Sequence, residues 1–281
     1  MFEKGLLKGK RILVTGGGSG LGEAMGRRFV ELGAELIICG RRLGLLEETA
    51  ARLRGDPGGK VAVFRCDVRD GADVTAMMEA IWREAPLDIL VNNAAATFIA
   101  RTEQLSFNAA DAILGPTLHG AMYCTLAAGK RWIAGGHKGV VLSILSTSTI
   151  TGRAFTVPSA MAKSAVLAMT KSLAVDWGPK GIRTVAIAPG PFPTAGALGQ
   201  LRPEGRDEGP AAKNPLGRVG EHAELANLAS FLISDAAGYI NGEMVVQDGG
   251  AHLRSSGAED LLQWDDAQWE KLRAKRSPKD A

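Results

Sequence analysis

A run of glycines near the N-terminus has the residue types and spacing that bind a phosphate group. The run Thr15-Gly16-Gly17-Gly18-Ser19-Gly20-Leu21-Gly22 follows the apolar residues 11–14 and opens a helical pattern that continues to residue 32. Glycines carry no Cβ atoms, so the backbone N–H groups at the start of the helix can close on a pyrophosphate. The spacing G-x-x-x-G-x-G is a variant of the dinucleotide-binding fingerprint, and a Gly-rich turn without a ligand is the alternative.

Two arginines follow the second apolar run, in the sequence Cys39-Gly40-Arg41-Arg42. In NAD sites an acid at this point hydrogen-bonds the ribose 2′-hydroxyl, whereas here a glycine precedes two guanidinium groups. The forked donors of arginine match a phosphate. The pattern therefore predicts that Arg41 and Arg42 bind the 2′-phosphate of NADP, and the alternative is two solvated arginines at the start of a helix.

Polar residues also follow the third and fourth apolar runs. Asp67-Val68 follows the third run and Asn92-Asn93-Ala94-Ala95 follows the fourth. An aspartate there can accept a hydrogen bond from an adenine amino group, and an asparagine pair beside small alanines lets the backbone approach a cofactor. Turn chemistry could explain either motif alone. Their positions after successive strands favour a cofactor site.

Strand and helix patterns alternate along most of the chain, which predicts right-handed βαβ units. The predicted strands cover residues 11–15, 35–39, 60–65, 87–91, 139–145, 182–187 and 243–247. The predicted helices cover residues 20–32, 43–54, 71–84, 108–134, 157–177 and 221–233. We expect an α/β fold with a single doubly wound parallel sheet, a Rossmann fold, and helices on both faces. Binding sites in such sheets lie beyond the carboxyl ends of the strands.

The composition is that of an ordinary globular protein of 281 residues, with 46% hydrophobic and 22% charged residues. A net charge of +3 gives no independent reason to expect nucleic-acid binding. The cysteines at positions 39, 66 and 124 have no metal-ligand spacing and are expected to be buried thiols in a reducing compartment. No apolar run is long enough to span a bilayer, and residues 1–10 are too short for a targeting peptide. We expect a soluble, cytoplasmic protein.

These motifs, together with Ser146, Lys163 and Pro189-Gly190, resemble the short-chain dehydrogenase/reductase family over nearly the whole chain. Other features resemble its 2,4-dienoyl-CoA reductases, namely Phe98, Glu103-x-Leu105-Ser106-x-Asn108, Gly129-Lys130, the segment 157–163, Pro191 and the segment 224–229. The tail with Trp264 and Trp269 resembles the C-terminal extension of the mitochondrial type. The resemblance implies an NADP-binding reductase domain over residues 1–250 and, over 251–281, an extension with a short helix packed on that domain.

The resemblance also implies which residues bind the cofactor. The expected NADP-binding residues are Gly16, Gly18, Ser19, Gly20, Leu21, Gly22, Arg41, Arg42, Asp67, Val68, Asn93, Ala94, Lys163, Pro189, Gly190 and Phe192. Arg69, Phe98 and Ser106 match positions that contact the acyl-CoA substrate, and the alternatives are a helix-start arginine, a core phenylalanine and an N-cap serine. The segment 189–220 resembles the substrate lid of the family, and its Arg202 and Arg206 either meet CoA phosphates or are solvated.

The chain departs from the general family at the catalytic acid. The family pattern Tyr-x-x-x-Lys places a tyrosine four residues before Lys163, and here that residue is Ser159. The only tyrosines, Tyr123 and Tyr239, lie far from this motif in the sequence. A serine hydroxyl cannot replace tyrosine as the proton donor near neutral pH. Dienoyl-CoA reductases also carry serine at this position, so Ser159 supports the closer match.

Three further polar positions differ from the dienoyl-CoA reductases. Their tyrosine lies fifteen residues before the lysine, at Ser148 here, and two of their asparagines correspond to Thr97 and His119. The expected catalytic set is Lys163, Ser159, Ser148, Ser146, Thr97 and His119. His119 is either a proton relay or a satisfied core histidine, and Gly115-Pro116 just before it predicts a kink or restart of the helix.

The sequence therefore favours an NADPH-dependent reductase of an unsaturated acyl-CoA thioester, either 2,4-dienoyl or enoyl. Lys163 and nearby hydroxyls would hold the enolate that forms on the thioester oxygen. Two alternatives remain: another member of the family that acts on a carbonyl such as a 3-oxoacyl substrate, and a catalytically impaired NADP(H)-binding protein. We expect a homo-oligomer, tetrameric by the resemblance, that associates through the helices at 108–134 and 157–177.

Overall fold

A parallel sheet of seven strands forms the centre of the molecule. The computed structural model describes residues 2–55, 59–194, 196, 211, 214–254 and 259–276. In chain order the strands are β1 Arg11–Thr15, β2 Glu35–Gly40, β3 Lys60–Arg65, β4 Ile89–Asn92, β5 Gly139–Ile144, β6 Ile182–Pro189 and β7 Met244–Gln247. They lie in the order β3-β2-β1-β4-β5-β6-β7, and every neighbouring pair is parallel.

The strand order reverses its direction between β1 and β4, which creates a crevice at their carboxyl ends. The six predicted helices are present, the one at 108–134 in two parts, and a short helix between β5 and the helix at 157–177 was not predicted. They are α1 Gly20–Glu31, α2 Leu43–Arg54, α3 Gly71–Glu84, α4 Phe107–Leu114, α5 Gly120–Gly135, α6 Ser148–Thr151, α7 Val157–Trp177, α8 His222–Ile233 and α9 Asp266–Arg276. The prediction of a single doubly wound sheet is confirmed.

Hydrophobic residues fill both faces of the sheet because parallel strands are covered by helices on each side. On one face Ile12 and Val14 of β1 pack with residues of α1, α2 and α8, including Phe29. On the other face Leu13 packs with residues of α3 and α5 and with Trp177 at the end of α7. All three cysteines lie in the core as free thiols, as expected from their apolar surroundings.

The long helix predicted for residues 108–134 is interrupted. A π turn, Gly115–His119, separates α4 from α5. Pro116 has no N–H group to donate within the helix, and a wider turn accommodates this loss. The restart predicted at Gly115-Pro116 is confirmed, and it turns Thr117 into the protein.

The C-terminal tail ends in helix α9, whose side chains from Asp266 to Lys271 are exposed. Just before and within it, the rings of Trp264 and Trp269 meet edge to face at 5.1 Å. The packing of residues 251–281 on the main domain remains a prediction. Within the described part of the chain, no helix has both the length and the apolar character needed to cross a membrane.

The glycine run is packed too tightly to admit side chains. A Cβ atom on Gly22 would lie 2.5 Å from the carbonyl oxygen of Gly16 and 2.7 Å from Nδ2 of Asn93. Gly16 and Gly20 also have left-handed backbones, with φ of 65° and 57°. The turn between β1 and α1 therefore requires glycine for both its conformation and its close contacts.

We predict that Gly22→Ala lowers the free energy of unfolding by about 2 kcal/mol, because the new methyl group must displace backbone. Gly44→Ala is the matched control, since Gly44 lies in α2 and a Cβ atom there would have nothing within 4 Å. That control should instead raise stability by about 0.5 kcal/mol through better helix propensity. Urea denaturation midpoints measure both effects. Equal stability of Gly22→Ala and the parent would show that the turn is looser than described.

Candidate active site

The N-terminus of α1 is prepared to bind an anion. Ser19 precedes the helix in an extended conformation, and its side chain makes no capping hydrogen bond. The first N–H groups of the helix, from Gly20 to Gly22, therefore receive no side-chain cap from Ser19, and they lie at the positive end of the helix dipole. The residues of the glycine run that were predicted to bind a pyrophosphate surround this helix end.

Asn93 and Ala94 support the glycine turn from the neighbouring strand. The Thr15 hydroxyl accepts hydrogen bonds from the N–H groups of Asn93 and Ala94, both at 3.0 Å, and donates to the carbonyl of Val91 at 3.3 Å. The Asn93 amide donates to the carbonyl oxygens of Thr15 at 2.9 Å and Gly16 at 3.3 Å. The Asn93 side chain thus holds the loop in place, and contact of Asn93 and Ala94 with a cofactor remains a prediction.

Beyond β3, Asp67 forms an ion pair with Arg69. The Arg69 guanidinium approaches the Asp67 carboxylate at 2.5–3.0 Å. The hydrogen bond from Arg69 lowers the pKa of Asp67, and the positive charge of Arg41 lowers it further. The Arg69 side chain also covers Gly115 at the start of the π turn. Binding of adenine by Asp67 and of substrate by Arg69 would therefore use two members of one ion pair.

The two arginines that follow β2 are exposed. Arg42 is the N-cap residue of α2 and makes no side-chain capping hydrogen bond, and the first turn of α2 contains no acid. Arg41 lies close enough to Asp67 to lower its pKa. Both residues therefore follow β2 at the carboxyl edge of the sheet, and Arg41 lies near Asp67. Val68, next in sequence, is buried and packs against Gly120.

Lys163 carries a buried ammonium group. It lies on α7 with 8% of its surface exposed, and its Nζ donates a hydrogen bond to the carbonyl oxygen of Ile144, the last residue of β5. Burial lowers the pKa of Lys163 to about 8. Ser159 lies one helical turn earlier, half-buried, and so shares a face of α7 with Lys163.

Two serines follow β5 and contact each other. The Ser148 hydroxyl donates to Oγ of Ser146 at 3.2 Å, and the Ser148 N–H approaches the same atom at 3.3 Å. Because Ile144 accepts the hydrogen bond from Lys163, this serine pair begins two residues beyond the lysine contact. The structure thus brings Ser146 and Ser148 together and places Lys163 beside the end of the strand that precedes them.

Thr97 lies in the half-buried segment 93–100 that follows β4. This segment is fixed by Thr117 of the π turn, whose buried hydroxyl accepts from the N–H of Ala96 at 3.1 Å. Sequence reasoning did not single out Thr117, although the Gly-Pro pair before it marked the irregular turn. His119 is exposed and stacks on Tyr123 with 6.0 Å between ring centroids, so its interpretation as a core histidine is wrong.

The Pro189-Gly190 turn is fastened to the end of β7. Gly190 donates its N–H to the Gln247 carbonyl at 2.9 Å, and a Cβ on Gly190 would lie 2.5 Å from Cβ of Asp248. Farther along the chain, Asn214 donates to the Asp248 carbonyl at 2.8 Å. We call these four residues, Gly190, Asn214, Gln247 and Asp248, the clasp.

The carboxylate of Asp248 holds the chain that follows the clasp. It accepts hydrogen bonds from the N–H of Gly250 at 2.9 Å and the N–H of His252 at 2.7 Å, and it meets Nδ1 of His252 at 2.8 Å. Burial raises the pKa of Asp248, but the hydrogen bonds from His252 and Gly250 outweigh burial, so the pKa is lowered overall. The sequence signal for this contact is the run Asp248-Gly249-Gly250 directly after β7.

Two of the remaining predicted residues, Phe192 and Ser106, have structural partners. The Phe192 ring is buried against Gly220, so it belongs to the core, and a cofactor contact would have to use its backbone. Ser106 caps α4 by accepting from the N–H of Ala109 at 3.1 Å, which confirms the N-cap alternative without testing a substrate contact. Phe98 is half-buried. Arg202 and Arg206 lie outside the described residues.

Comparison with known proteins places this site in a family. The family model described as Enoyl-(Acyl carrier protein) reductase matches residues 16–252. An uncharacterized oxidoreductase of Caenorhabditis elegans is 44% identical over 95% of this chain and 88% of its own. The "Probable 2,4-dienoyl-CoA reductase 3", (3E)-enoyl-CoA-producing, of the same organism is 42% identical over 96% and 90%. The "Probable 2,4-dienoyl-CoA reductase", (2E)-enoyl-CoA-producing, of Bacillus subtilis is 41% identical over 87% and 97%.

Solved structures share the fold described above. A short chain dehydrogenase from Bacillus anthracis has a TM-score of 0.81 and 40% identity, and the match covers 89% of this chain and 99% of that one. A gluconate 5-dehydrogenase from Burkholderia cenocepacia, in complex with NADP and tartrate, has a TM-score of 0.82 and 31% identity over 88% and 97% of the two chains. The chain therefore belongs to the short-chain dehydrogenase/reductase family of oxidoreductases.

Proposed function

We propose that this oxidoreductase uses NADPH to reduce the carbon–carbon double bond of an unsaturated acyl-CoA thioester, either 2,4-dienoyl or enoyl. One observation carries the proposal: the buried cation of Lys163 is hydrogen-bonded to the end of β5, two residues before the Ser146–Ser148 pair, and Ser159 stands where the wider family has its catalytic tyrosine and dienoyl-CoA reductases have serine. Relatives named as 2,4-dienoyl-CoA reductases, at 41% and 42% identity, support it.

The residues present fit NADPH. The uncapped start of α1 would hold the pyrophosphate, and the glycine turn leaves a cradle that a Cβ atom would fill. Arg41 and Arg42 would hold the 2′-phosphate, and Lys163 would bind the nicotinamide ribose. When bound, the cofactor supplies a hydride. The NADP complex of a solved relative supports this choice of cofactor.

The charge of Lys163 suits the reduction of a double bond conjugated to a thioester. Addition of hydride to the distal carbon puts negative charge on the thioester oxygen as an enolate, and solvent then protonates carbon. Lys163, with a pKa of about 8, is charged at neutral pH, and the hydroxyls of Ser148, Ser159 and Thr97 can donate to the same oxygen. The oxygen of the alkoxide formed from a simple carbonyl is far more basic than the oxygen of an enolate, so it must be protonated as it forms by an acid that these serines do not supply.

A catalytically impaired NADP(H)-binding protein is the second candidate. It is favoured by the loss of the tyrosine at position 148, where the Ser148 hydroxyl already donates to Ser146. His119 is exposed, which does not suit a proton relay in a buried site, and this favours the same candidate. Such a protein would keep every cofactor contact described above and would act by sensing NADP(H) or by assembly.

The surface of α5 and α7 supports assembly into a homo-oligomer, tetrameric by resemblance to the family. Apolar side chains on these two helices remain exposed in the single chain, namely Leu126, Ile133, Met161 and Val175. Apolar surface of this kind marks an interaction site. We further propose a cytoplasmic location, which the free cysteines support, and a role in fatty acid metabolism, which rests on the proposed substrate class.

The deciding experiment measures NADPH oxidation with 2,4-dienoyl-CoA, 2-enoyl-CoA and 3-oxoacyl-CoA thioesters. We expect turnover of an unsaturated thioester and not of the 3-oxoacyl compound. Ser148→Tyr should raise the rate by restoring a donor, and Ser159→Ala should lower it by less than the roughly 100-fold that a single essential donor contributes. Retained NADPH binding without reduction of any thioester would instead establish the binding protein.

A second prediction concerns the cofactor. Arg41→Ala should weaken NADPH binding by about 10- to 100-fold and change NADH binding by less than about 2-fold, because charge-assisted hydrogen bonds to the 2′-phosphate are lost. Arg83→Ala, an exposed arginine at the end of α3, is the matched control and should change neither. Fluorescence titration measures both affinities. Equal affinities of the parent for NADPH and NADH would show that Arg41 and Arg42 do not bind the 2′-phosphate.

A third prediction follows from the lowered pKa of Lys163. In the free enzyme, kcat/KM should fall as pH rises through about 8, because the ammonium group loses its proton. The effect on stability has the opposite sign: between about 8 and 10.5 the unfolded state binds the proton better, so the free energy of unfolding contributed by this residue rises with pH.

Lys163→Met keeps the length of the side chain and removes its charge, which separates the two effects. It should lower kcat/KM by about 100-fold or more and abolish the rise in stability over that pH range. Rate profiles and urea midpoints between pH 7 and 10.5 provide the measurements. A variant as fast as the parent would disprove the role of the cation.

A further inference from the structure

Phe155 has a backbone conformation that its side chain does not favour. It lies in the loop between α6 and α7, and its φ of 63° makes it the one non-glycine residue of the described chain with a left-handed backbone. For a bulky residue this conformation is strained. Burial does not repay the strain, because 55% of the residue is exposed. Strained residues of this kind cluster at ligand-binding sites, so the conformation calls for a functional reason.

The surrounding backbone enforces this conformation. The Phe155 carbonyl accepts a hydrogen bond from the N–H of Ala100 at 3.0 Å. The next residue, Thr156, is buried, and its carbonyl accepts from the N–H groups of Ser159 and Ala160 at 3.1 Å as α7 begins. The backbone of Phe155 is therefore fixed on both sides, and the position from which its exposed side chain starts is defined.

Phe155 lies where two segments with proposed substrate-binding groups meet. Ala100 ends the segment 93–100, which contains Thr97 and Phe98. The loop that contains Phe155 runs from α6, which begins at Ser148, to α7, which carries Ser159. The hydrogen bond between Ala100 and Phe155 therefore brings an exposed aromatic ring to the junction of these segments.

A second apolar side chain lies in the same loop region. Ile150 of α6 is half exposed and follows Ser148 by two residues. The hydroxyls and Lys163 provide polar and charged groups for a thioester oxygen, whereas Phe155 and Ile150 offer apolar surface nearby. An unsaturated acyl-CoA matches this arrangement, because its thioester is polar and its acyl chain is apolar.

We propose that Phe155 binds the acyl chain of the substrate and determines the preferred chain length. This inference rests on the proposed function and adds a specificity residue to it. Burial of the chain against an aromatic ring strengthens binding with each added methylene group. A chain too short to reach the ring gains nothing from it, so the effect of the ring depends on chain length.

The test compares six-carbon and ten-carbon 2,4-dienoyl-CoA as substrates of the parent, Phe155→Ala and Phe155→Gly. Both variants should raise KM for the ten-carbon substrate by about 10-fold and for the six-carbon substrate by less than about 2-fold. The NADPH affinity should not change. Phe155→Gly should also have the higher urea midpoint of the two variants, because glycine relieves the strain. Tyr239→Ala, which removes a fully exposed ring that precedes β7, is the matched control.

Equal KM changes for both substrates, or none, would overturn the inference while the proposed function stands. A change in subunit number on sedimentation of Phe155→Ala would also overturn it, because Phe155 would then be a subunit contact. If the parent reduces neither thioester, the proposed function fails. Calorimetry with decanoyl-CoA and free CoA then tests whether Phe155 binds an acyl chain. A preference of the parent for decanoyl-CoA that Phe155→Ala loses supports the acyl site, and equal affinities exclude it.

Discussion

The buried ammonium group of Lys163 sets the main constraint on the site. Removing a charge from water is costly unless the charge finds hydrogen-bond partners, and the partner here is the terminal carbonyl of β5. This contact joins α7 to the sheet at the point where the serine-bearing loop begins. The position of the cation therefore depends on the β5–β6 pairing and on the packing of α7 against β6.

The parallel sheet distributes the chemistry along one edge. Strands β1, β2 and β3 end in the glycine turn, the two arginines and Asp67, which form the side suited to a phosphate-bearing cofactor. Strands β4, β5 and β6 end in the Thr97 segment, the serine pair and Pro189-Gly190. Because every strand points the same way, groups far apart in the sequence meet at this edge.

The sequence predicted the elements well because their signals are periodic. The predicted strands and helices agree with the structure to within two residues, apart from the interrupted helix, and the Gly115-Pro116 pair announced that interruption. Local chemistry also predicted the requirement for glycine at residues 16–22. These features depend on residues that are neighbours in the sequence, so they can be predicted without knowledge of the fold.

Features that depend on distant residues were not predictable. The hold of Thr117 on Ala96 joins a π turn to a loop after β4, and the contact of Asp248 with Gly190 joins the ends of two strands. Periodicity contains no information about such contacts. His119 is the last residue of the π turn, and it is exposed although the apolar residues around it in the sequence suggested a core position.

The clasp has a consequence for how this protein can diverge. Gly190 and Asn214 hydrogen-bond to consecutive residues, Gln247 and Asp248. The two ends of the intervening segment are therefore anchored side by side. Doubling the length of such a segment costs only about 0.6 kcal/mol in closure entropy. A change in the length of the segment between these anchors should therefore cost little stability and leave the carboxyl edge of the sheet in place.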